Sequence, residues 1–162
     1  MKNIFLFFAL AFFCYGCKGK ADAPVDLDAL YQQNLNDSIL VSGWYYVVDD
    51  NNGFVRKLQK TDELYILNPK PIAVIDNLSE IELYKNIHGE VSIIMQFDKQ
   101  ATEWWRIATR AAIGNLIAFI IDDKLFGVSF VNGEITKGAN AFGRLDYSED
   151  EYKEIIDMIS KK

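Results

Sequence analysis

Few residues in this chain are of the types that perform covalent or metal chemistry. Two cysteines and one histidine occur among 162 residues, and both cysteines stand near the start. Cys14 and Cys17 form a C-x-x-C pair, the spacing of redox and haem-attachment motifs. Haem attachment needs a histidine next, where this chain has Lys18. A redox pair needs a βαβ context, which an apolar terminus does not supply. The pair therefore needs another explanation.

The residues before Cys17 provide that explanation. The first three are Met-Lys-Asn, a short basic start, and residues 4–13 are an unbroken apolar run of ten. A transmembrane helix needs about 20 apolar residues, whereas ten is a normal length for the apolar core of a signal peptide. Small Gly16 before the cysteine fits the cleavage site of a lipoprotein signal. We therefore predict a signal peptide over 1–16 and a lipid anchor on Cys17. An ordinary cleaved signal and an uncleaved anchor are the alternatives.

The other candidates for chemistry are isolated. His88 lies in a predicted hairpin loop without a second histidine or a cysteine to share a metal. Residues 49–53, DDNNG, approach a calcium loop but lack its first acid and its closing glutamate. Asp122 and Asp123 are a candidate carboxylate pair, but adjacent residues in a tight turn point different ways. We therefore predict no catalytic residue, no metal and no cofactor, and the protein is not expected to be an enzyme.

Composition limits the class of partner. The net charge is −6 at pH 7, whereas nucleic-acid binding needs a basic surface. Removing residues 1–16 from the 162 leaves 146 residues with a single cysteine, Cys17, so no disulfide can form within the mature chain. A domain of that size buries about 70% of its unfolded surface, which is enough to fold without disulfides. The membrane is therefore expected as a partner through the lipid, and nucleic acid is not.

Periodicity predicts one α+β domain over 39–162, behind a flexible tether over 17–38 with a short helical turn near residues 27–35. The domain is an antiparallel or mixed sheet with two main helices packed on one face. Asp98 is the predicted N-cap of the first helix, and Ser148 with Glu151 forms a capping box for the second. Strands are predicted at 40–48, 54–59, 63–67, 79–85, 91–97, 116–121, 125–131 and 134–136.

Three details of the pattern concern the second half of the chain. Residues 116–121, LIAFII, are continuously apolar and indicate a strand buried on both faces. On the returning strand, alternation puts Phe126, Val128 and Phe130 on one face. Asn132-Gly133 then indicates a hairpin, followed by a glycine-rich stretch from Gly138 to Gly143.

Trp104 and Trp105 are neighbours on the first predicted main helix. They stand about 100° apart around its axis, so both are expected to be half-buried with one edge at the rim. A tryptophan stripe at helical spacing is commonly part of a core, and that alternative stays open. Because indole rings combine a large apolar surface with a hydrogen-bond donor, we predict these two residues as a partner-binding surface.

Residues 97–160 resemble the head subdomain of the large periplasmic domain of SecD, the membrane partner of the protein-export translocase. The resemblance extends upstream to about residue 40. A helix ends in glycine, an apolar Leu-Ala-containing strand ends in aspartate, an isoleucine precedes a glycine-rich stretch, and an acidic-start helix closes the pattern. These features fall on Thr109, Gly114, Ile117-Ala118, Asp122, Ile135, Gly138 and Ser148 to Glu151. The chain shows no counterpart of the charged SecD membrane helices, so the resemblance does not imply a proton-driven motor.

The resemblance implies an envelope lipoprotein that binds polypeptide, or a protein-export or assembly partner, without catalysis. A surface or structural lipoprotein is one alternative, and an enzyme with an unrecognised carboxylate site is another. Lys18 follows the predicted anchor in place of the aspartate that retains lipoproteins in the inner membrane of some bacteria. The outer membrane is therefore the expected location, and the sequence does not indicate an oligomeric state.

Overall fold

The computed structural model describes residues 26–37, 39–49 and 52–161. The predicted signal peptide, Cys17 and the first part of the predicted tether lie outside these residues. The described helices are α1 (Leu27–Asp37), α2 (Lys99–Ala111) and α3 (Glu149–Ser160). The described strands are β1 (Gly43–Tyr46), β2 (Phe54–Lys57), β3 (Leu64–Leu67), β4 (Ala73–Val74), β5 (Leu78–Lys85), β6 (Val91–Phe97), β7 (Leu116–Ile121), β8 (Lys124–Phe130) and β9 (Ala139–Phe142).

The strands form three groups. A four-stranded sheet has the order β4-β1-β7-β8, a three-stranded sheet has the order β5-β6-β9, and β2 pairs with β3 as a ribbon. The strand pairs within these groups are all antiparallel. With α2 and α3 as the two main helices, the predicted α+β class is confirmed.

The four-stranded sheet carries a core on each face. Trp44 and Phe119 point into the main core, between this sheet, the three-stranded sheet and the two main helices. Tyr45 and Ile120, one position along, point into a second core beneath the β2–β3 ribbon. Burial of each such large apolar side chain contributes about 1.5–3 kcal/mol. Strand β7 is therefore buried on both faces from its second residue onward, as its apolar run predicts.

Local signals begin both main helices. The Asp98 side chain accepts a hydrogen bond from the backbone N–H of Ala101 and caps α2. Ser148 and Glu151 form the predicted capping box at the start of α3. Each cap satisfies N–H groups that have no partner inside the helix, so the predicted starting points of these helices are confirmed.

Asp122 and Asp123 form the turn between β7 and β8. Both have positive φ, 47° and 64°, the combination that a two-residue type I′ hairpin requires. The Asp123 carboxylate accepts a hydrogen bond from Nε of Arg56 at 2.9 Å, and another from the backbone N–H of Leu40 at 2.8 Å. Arg56 is only 2% exposed. The carboxylate of Asp123 therefore fastens this turn to β2.

The face pattern predicted for β8 is wrong in one position. The register between β7 and β8 shifts between Phe119 and Ile120, which leaves an extra residue on β8 as a β-bulge. As a result Phe126 joins the main core, while Val128 packs against the second core. Phe126 and Val128 do not share a face, because a bulge interrupts the alternation from which the prediction was made.

The segment after β8 also differs from its prediction. Asn132-Gly133 does not close a hairpin, and residues 134–136 are not a strand. Residues 131–138, here called the crossing loop, instead pass from the four-stranded sheet to the three-stranded sheet. Strand β9 then forms inside the predicted glycine-rich stretch, where it pairs with β6. Pairing with β6 outweighs the low strand propensity of that segment.

Helix α1 lies within the segment predicted as a tether. It covers eleven residues and contacts β2 and β3. The helical turn predicted near residues 27–35 is thus part of a longer helix, which packs against the β2–β3 ribbon.

Candidate functional site

An apolar cleft lies between β8 and β9, the outermost strands of two different sheets. Its volume is about 280 Å³. Four aromatic residues of the main core contribute to its lining: Trp44, Trp105, Phe119 and Phe142. Parts of β8, β9 and the crossing loop complete the lining. None of the lining residues is titratable. We call this site the β8–β9 cleft.

Small residues on the inner face of β8 explain why the cleft is open. Gly127 is opposite Phe119 and Ser129 is opposite Ile117, so both lie on the main-core side of the sheet. Neither has a side chain large enough to cover the aromatic residues beside it. A Cβ atom on Gly127 would stand 2.7 Å from Cε2 of Phe142. The glycine therefore lets the Phe142 ring pack against β8 and close one end of the cleft.

Strands β8 and β9 both have an edge beside the cleft whose backbone groups pair with no neighbouring strand in the described residues. The backbone N–H of Val131 donates to the carbonyl of Asn115 at 2.9 Å, so residue 131 points its hydrogen-bonding groups towards β7. Because these groups alternate along a strand, Val128 and Phe130 direct their N–H and C=O groups away from the sheet. Within the described part of the chain, no backbone group pairs with them.

The same argument applies to β9. The N–H of Phe97 donates to the carbonyl of Gly138 at 3.0 Å, which directs the groups of Gly138, Asn140 and Phe142 towards β6. The intervening residues, Ala139 and Ala141, therefore present their backbone groups on the outer edge. The β8–β9 cleft is bordered by an open edge on each side.

The first half of β8 is closed, in contrast to its second half. The backbone N–H of Gln59 donates to the carbonyl of Leu125 at 2.9 Å. Nη1 of Arg144 donates to the carbonyl of Phe126 and to that of Gln59, each at 3.0 Å. These contacts cover the edge as far as Phe126. The open edge begins after Phe126, with the outward backbone groups of Val128 beside the cleft.

The crossing loop is fixed to α2 and forms a stable wall. The hydroxyl of Thr109, which is fully buried, accepts a hydrogen bond from the N–H of Ile135 at 2.9 Å and donates one to the carbonyl of Trp105 at 2.8 Å. Arg106 forms an ion pair with Glu134 at 2.6 Å. Thr109 and Ile135 are both among the positions that carry the SecD resemblance. Their hydrogen bond holds the wall in place before any ligand arrives.

Trp105 lines the cleft and is 3% exposed. Its ring stands 5.9 Å from that of Trp44 and 5.2 Å from that of Phe97, between ring centroids. Within the described residues, its indole N–H is buried without a hydrogen-bond partner. Such a donor costs about 1–3 kcal/mol, and a buried indole N–H usually has a partner.

Trp104 lies on a different surface. It is 43% exposed and borders a shallow groove with Ile107, Tyr46 and Ile72. The expectation that both indoles are half-buried is wrong for Trp105, because the core-facing side of α2 passes through that residue. The two tryptophans predicted as one surface therefore belong to two separate places, of which the cleft holds Trp105.

Sequence reasoning missed the two strand edges and the small residues of β8. A glycine and a serine at alternating positions of a predicted strand, Gly127 and Ser129, were the available signal, because they leave one face of the strand uncovered. The facing of β8 and β9 had no signal in the sequence, since it depends on how two sheets meet.

The remaining candidates are separate from the cleft. His88 is exposed in the β5–β6 turn, where its backbone N–H donates to Oδ1 of Asn86. The described residues contain no group of three or more side chains suited to holding a metal ion. Among them there is also no helix whose length and apolar character would let it cross a membrane. The predicted lipid anchor, Cys17, lies outside the described residues.

Two solved structures are similar to this chain in fold. A crystal structure of SecDF in a super-membrane-facing form superposes with a TM-score of 0.60 and 16% identity, over 72% of this chain and 18% of the SecDF chain. A structure of SecDF, described as a membrane component that enhances protein export, gives a TM-score of 0.60 and 15% identity, over 85% and 70% of the two chains.

This chain therefore spans less than a fifth of the first SecDF structure. No protein family profile matches its sequence, and no curated protein sequence is similar to it. At 15–16% identity the likeness concerns the fold alone. The fold of this chain is similar to part of SecDF, as the sequence resemblance predicts.

Proposed function

We propose that this protein is a non-catalytic lipoprotein of the cell envelope that binds polypeptide in the β8–β9 cleft, in support of protein export or assembly. The observation that carries the proposal is the cleft itself, an apolar site bordered by two strands with open backbone groups. The fold of the chain is similar to that of SecDF, whose structure is described as that of a membrane component that enhances protein export. This similarity supports the link to export.

The chemistry of the cleft favours polypeptide over a small molecule, whereas its volume of about 280 Å³ is near the lower end of the roughly 300–1,000 Å³ of small-molecule pockets and fits either ligand. Such pockets orient their ligands with a few converging polar or charged side chains. Here the unpaired polar groups, apart from the indole N–H of Trp105, are backbone N–H and C=O groups along strand edges, which match the backbone of an extended chain.

The membrane location rests on the sequence. Cleavage before Cys17 and acylation of its thiol would fix the protein to a membrane while the domain stays in water. Lys18 favours the outer membrane. Labelling cells with a radioactive fatty acid tests this part: the wild-type protein is expected to take up label, and Cys17→Ser is expected to take up none. Equal labelling of both would contradict the anchor.

Site-specific crosslinking in cells tests the binding function. A photoreactive amino acid is placed at Ser129 in the cleft, at Trp104 on the other surface, and at exposed Glu154 on α3 as a control, in the full chain with its own signal. We expect capture of exported chains in transit, or of export or assembly subunits, from Ser129. Absence of capture from Ser129, or equal capture from all three positions, would overturn the proposal.

A further inference from the structure

We propose that the bound polypeptide adds to the open half of β8 as an extra strand, and that its inward side chains enter the cleft beside Ser129. The expected occupant is an extended segment of another protein, apolar at alternate positions and neutral or basic elsewhere. This inference rests on the proposed function and specifies how the cleft recognises its ligand.

The backbone of β8 supplies the first half of the complementarity. Val128 and Phe130 direct four hydrogen-bonding groups, two N–H and two C=O, away from the four-stranded sheet. An extended chain lying beside β8 would pair with these groups as in any antiparallel or parallel ladder. On the preceding residues the edge is already occupied by Gln59 and Arg144, so the start of the added strand is defined.

Side-chain volume supplies the second half. In a sheet, residues on neighbouring strands share a face, and every second residue of an added strand would point the same way as Gly127 and Ser129. Those side chains would enter the cleft beside Phe119, Phe142 and Trp105. These three aromatic residues are only 3–6% exposed, so valine, isoleucine or leucine at these positions would bury only the small apolar surface that remains accessible in the cleft.

The open half of β8 lacks two of the usual protections against such pairing. Proteins commonly place charged residues or proline on exposed strand edges to prevent addition of another chain. Residues 125–131, LFGVSFV, contain neither. Phe130, at the open end, is 56% exposed.

Net charge selects among extended segments. The chain carries −6 at pH 7, so its long-range field attracts basic segments and repels acidic ones. We therefore expect affinity for a basic alternating peptide to fall as salt is added, because screening weakens this attraction. An acidic peptide of the same apolar pattern is expected to bind more weakly.

A pair of substitutions at Phe130 isolates the backbone contribution. The probe is a fluorescent nine-residue peptide in which valine alternates with lysine or threonine, titrated against the full-length chain purified in detergent. Phe130→Ala and Phe130→Pro both remove the ring, but only the proline removes the outward N–H. We expect Phe130→Ala to bind within threefold of the wild type and Phe130→Pro to lose at least tenfold. Thermal unfolding of each variant verifies that it is folded.

N-methylated peptides test the same contact with the wild-type protein. Methyl groups on one alternate set of peptide nitrogens face β8 and are expected to reduce affinity at least tenfold. Methyl groups on the other set are expected to have a smaller effect. Equal effects of both sets would contradict strand addition, as would equal binding by Phe130→Pro and Phe130→Ala.

The outcomes separate this inference from the proposed function. If the alternating peptide does not bind but Ser129 still captures polypeptide in cells, strand addition is wrong and polypeptide binding stands. If neither occurs, both are wrong. Pairing of two copies of this chain through β8, seen by sedimentation without peptide binding, would also overturn the inference.

Discussion

Two strands of this molecule, β5 and β8, stand at the ends of their sheets and differ in how their edges are treated. β5 has the sequence LSEIELYK, in which Glu80, Glu82 and Lys85 are exposed. Lys85 also forms an ion pair with Glu149 of α3 at 3.3 Å. From its second residue, β8 has the sequence LFGVSF, without a charge. Charged edges resist pairing with other chains, so the comparison separates a protected edge from one available to a partner.

The same contrast exists inside β8. Its first half is covered by Gln59 and Arg144, and its second half is open beside the β8–β9 cleft. Charge protects the edge of β5, whereas the backbone N–H of Gln59 and the side chain of Arg144 cover the start of β8. The open half of β8, like the outer edge of β9 across the cleft, has neither kind of protection.

A substitution at Arg144, in the closed half of the β8 edge, is expected to have the largest effect on stability. Replacing it with alanine removes charged hydrogen bonds to the carbonyls of Gln59 and Phe126, each worth about 1.5–3 kcal/mol. We expect Arg144→Ala to lower the free energy of unfolding by about 3 kcal/mol. The backbone N–H of Gln59 is expected to exchange its hydrogen with solvent faster. Urea unfolding and hydrogen exchange measure these effects. Arg144→Lys keeps the charge and should lose less, and an unchanged Gln59 exchange rate would contradict the assignment.

Gly127 tests the open half. In Gly127→Ala, the new Cβ would stand 2.7 Å from the Phe142 ring, which is 6% exposed and packed among other aromatic rings. We expect a loss of about 2 kcal/mol in the free energy of unfolding, because overpacking typically costs about 1–3 kcal/mol, and weaker peptide binding. Gly133→Ala is the control, since its Cβ would meet no atom within 4 Å. Equal stability of the two variants would contradict the packing argument.

Introducing a lysine at the edge of β8 or of β5 tests whether charge at an edge prevents peptide binding. Phe130 on β8 and Tyr84 on β5 are both exposed aromatic residues, at 56% and 49%. Phe130→Lys gives β8 a charge of the kind that protects β5, and should reduce affinity for the basic alternating peptide at least tenfold, or about 1.4 kcal/mol. Tyr84→Lys should leave it unchanged. Peptide titration measures both, and a similar loss in each would show that charge acts at a distance rather than at the edge.

Thr109 tests whether the crossing loop must be fixed. Thr109→Val keeps the shape but leaves the N–H of Ile135 without its acceptor, for an expected loss of about 1 kcal/mol in stability and weaker peptide binding. Thr109→Ser retains the hydroxyl and should restore the hydrogen bond. Denaturant unfolding and peptide titration compare them. If serine behaves like valine, the methyl group rather than the hydroxyl positions the loop.

The smallest expected effect is a pH dependence near the closed half. Hydrogen bonding to Lys60, followed by hydrogen bonds from Ser148, lowers the pKa of Glu151 from 4.5 to about 2. A lowered carboxyl pKa stabilises the fold above the unfolded value and loses that effect as pH falls from 4.5 towards 2. The difference in melting temperature between wild type and Glu151→Gln should therefore be constant above pH 5 and shrink below it. A constant difference down to pH 2 would contradict this assignment.

Sequence patterns predicted the features that depend on neighbouring residues. The caps at Asp98 and Ser148 involve residues three positions apart, and the buried strand β7 shows its two covered faces as an unbroken apolar run. The hairpin between β5 and β6 follows from alternating strands around Asn86 to Gly89. In these cases the physical cause lies within a few residues of the signal.

The predictions that were wrong concern features that depend on residues distant in the sequence. The bulge at Phe126 is fixed by the register with β7, and β9 exists because β6 offers it a partner. The different burial of Trp104 and Trp105 depends on which side of α2 meets the sheet. The cleft itself is created by two sheets whose edges converge, and no local pattern encodes that distance.

The central position of β1 has a consequence for the order in which the chain folds. Trp44 pairs with Phe119, 75 positions later, and Tyr45 is buried by that same pairing. During synthesis, the interior strand of the four-stranded sheet must wait until β7 has emerged, since pairing over such separations is slow. For the export proposed above this delay is favourable, because the four-stranded sheet cannot form until the chain has crossed as far as Ile121, the last residue of β7.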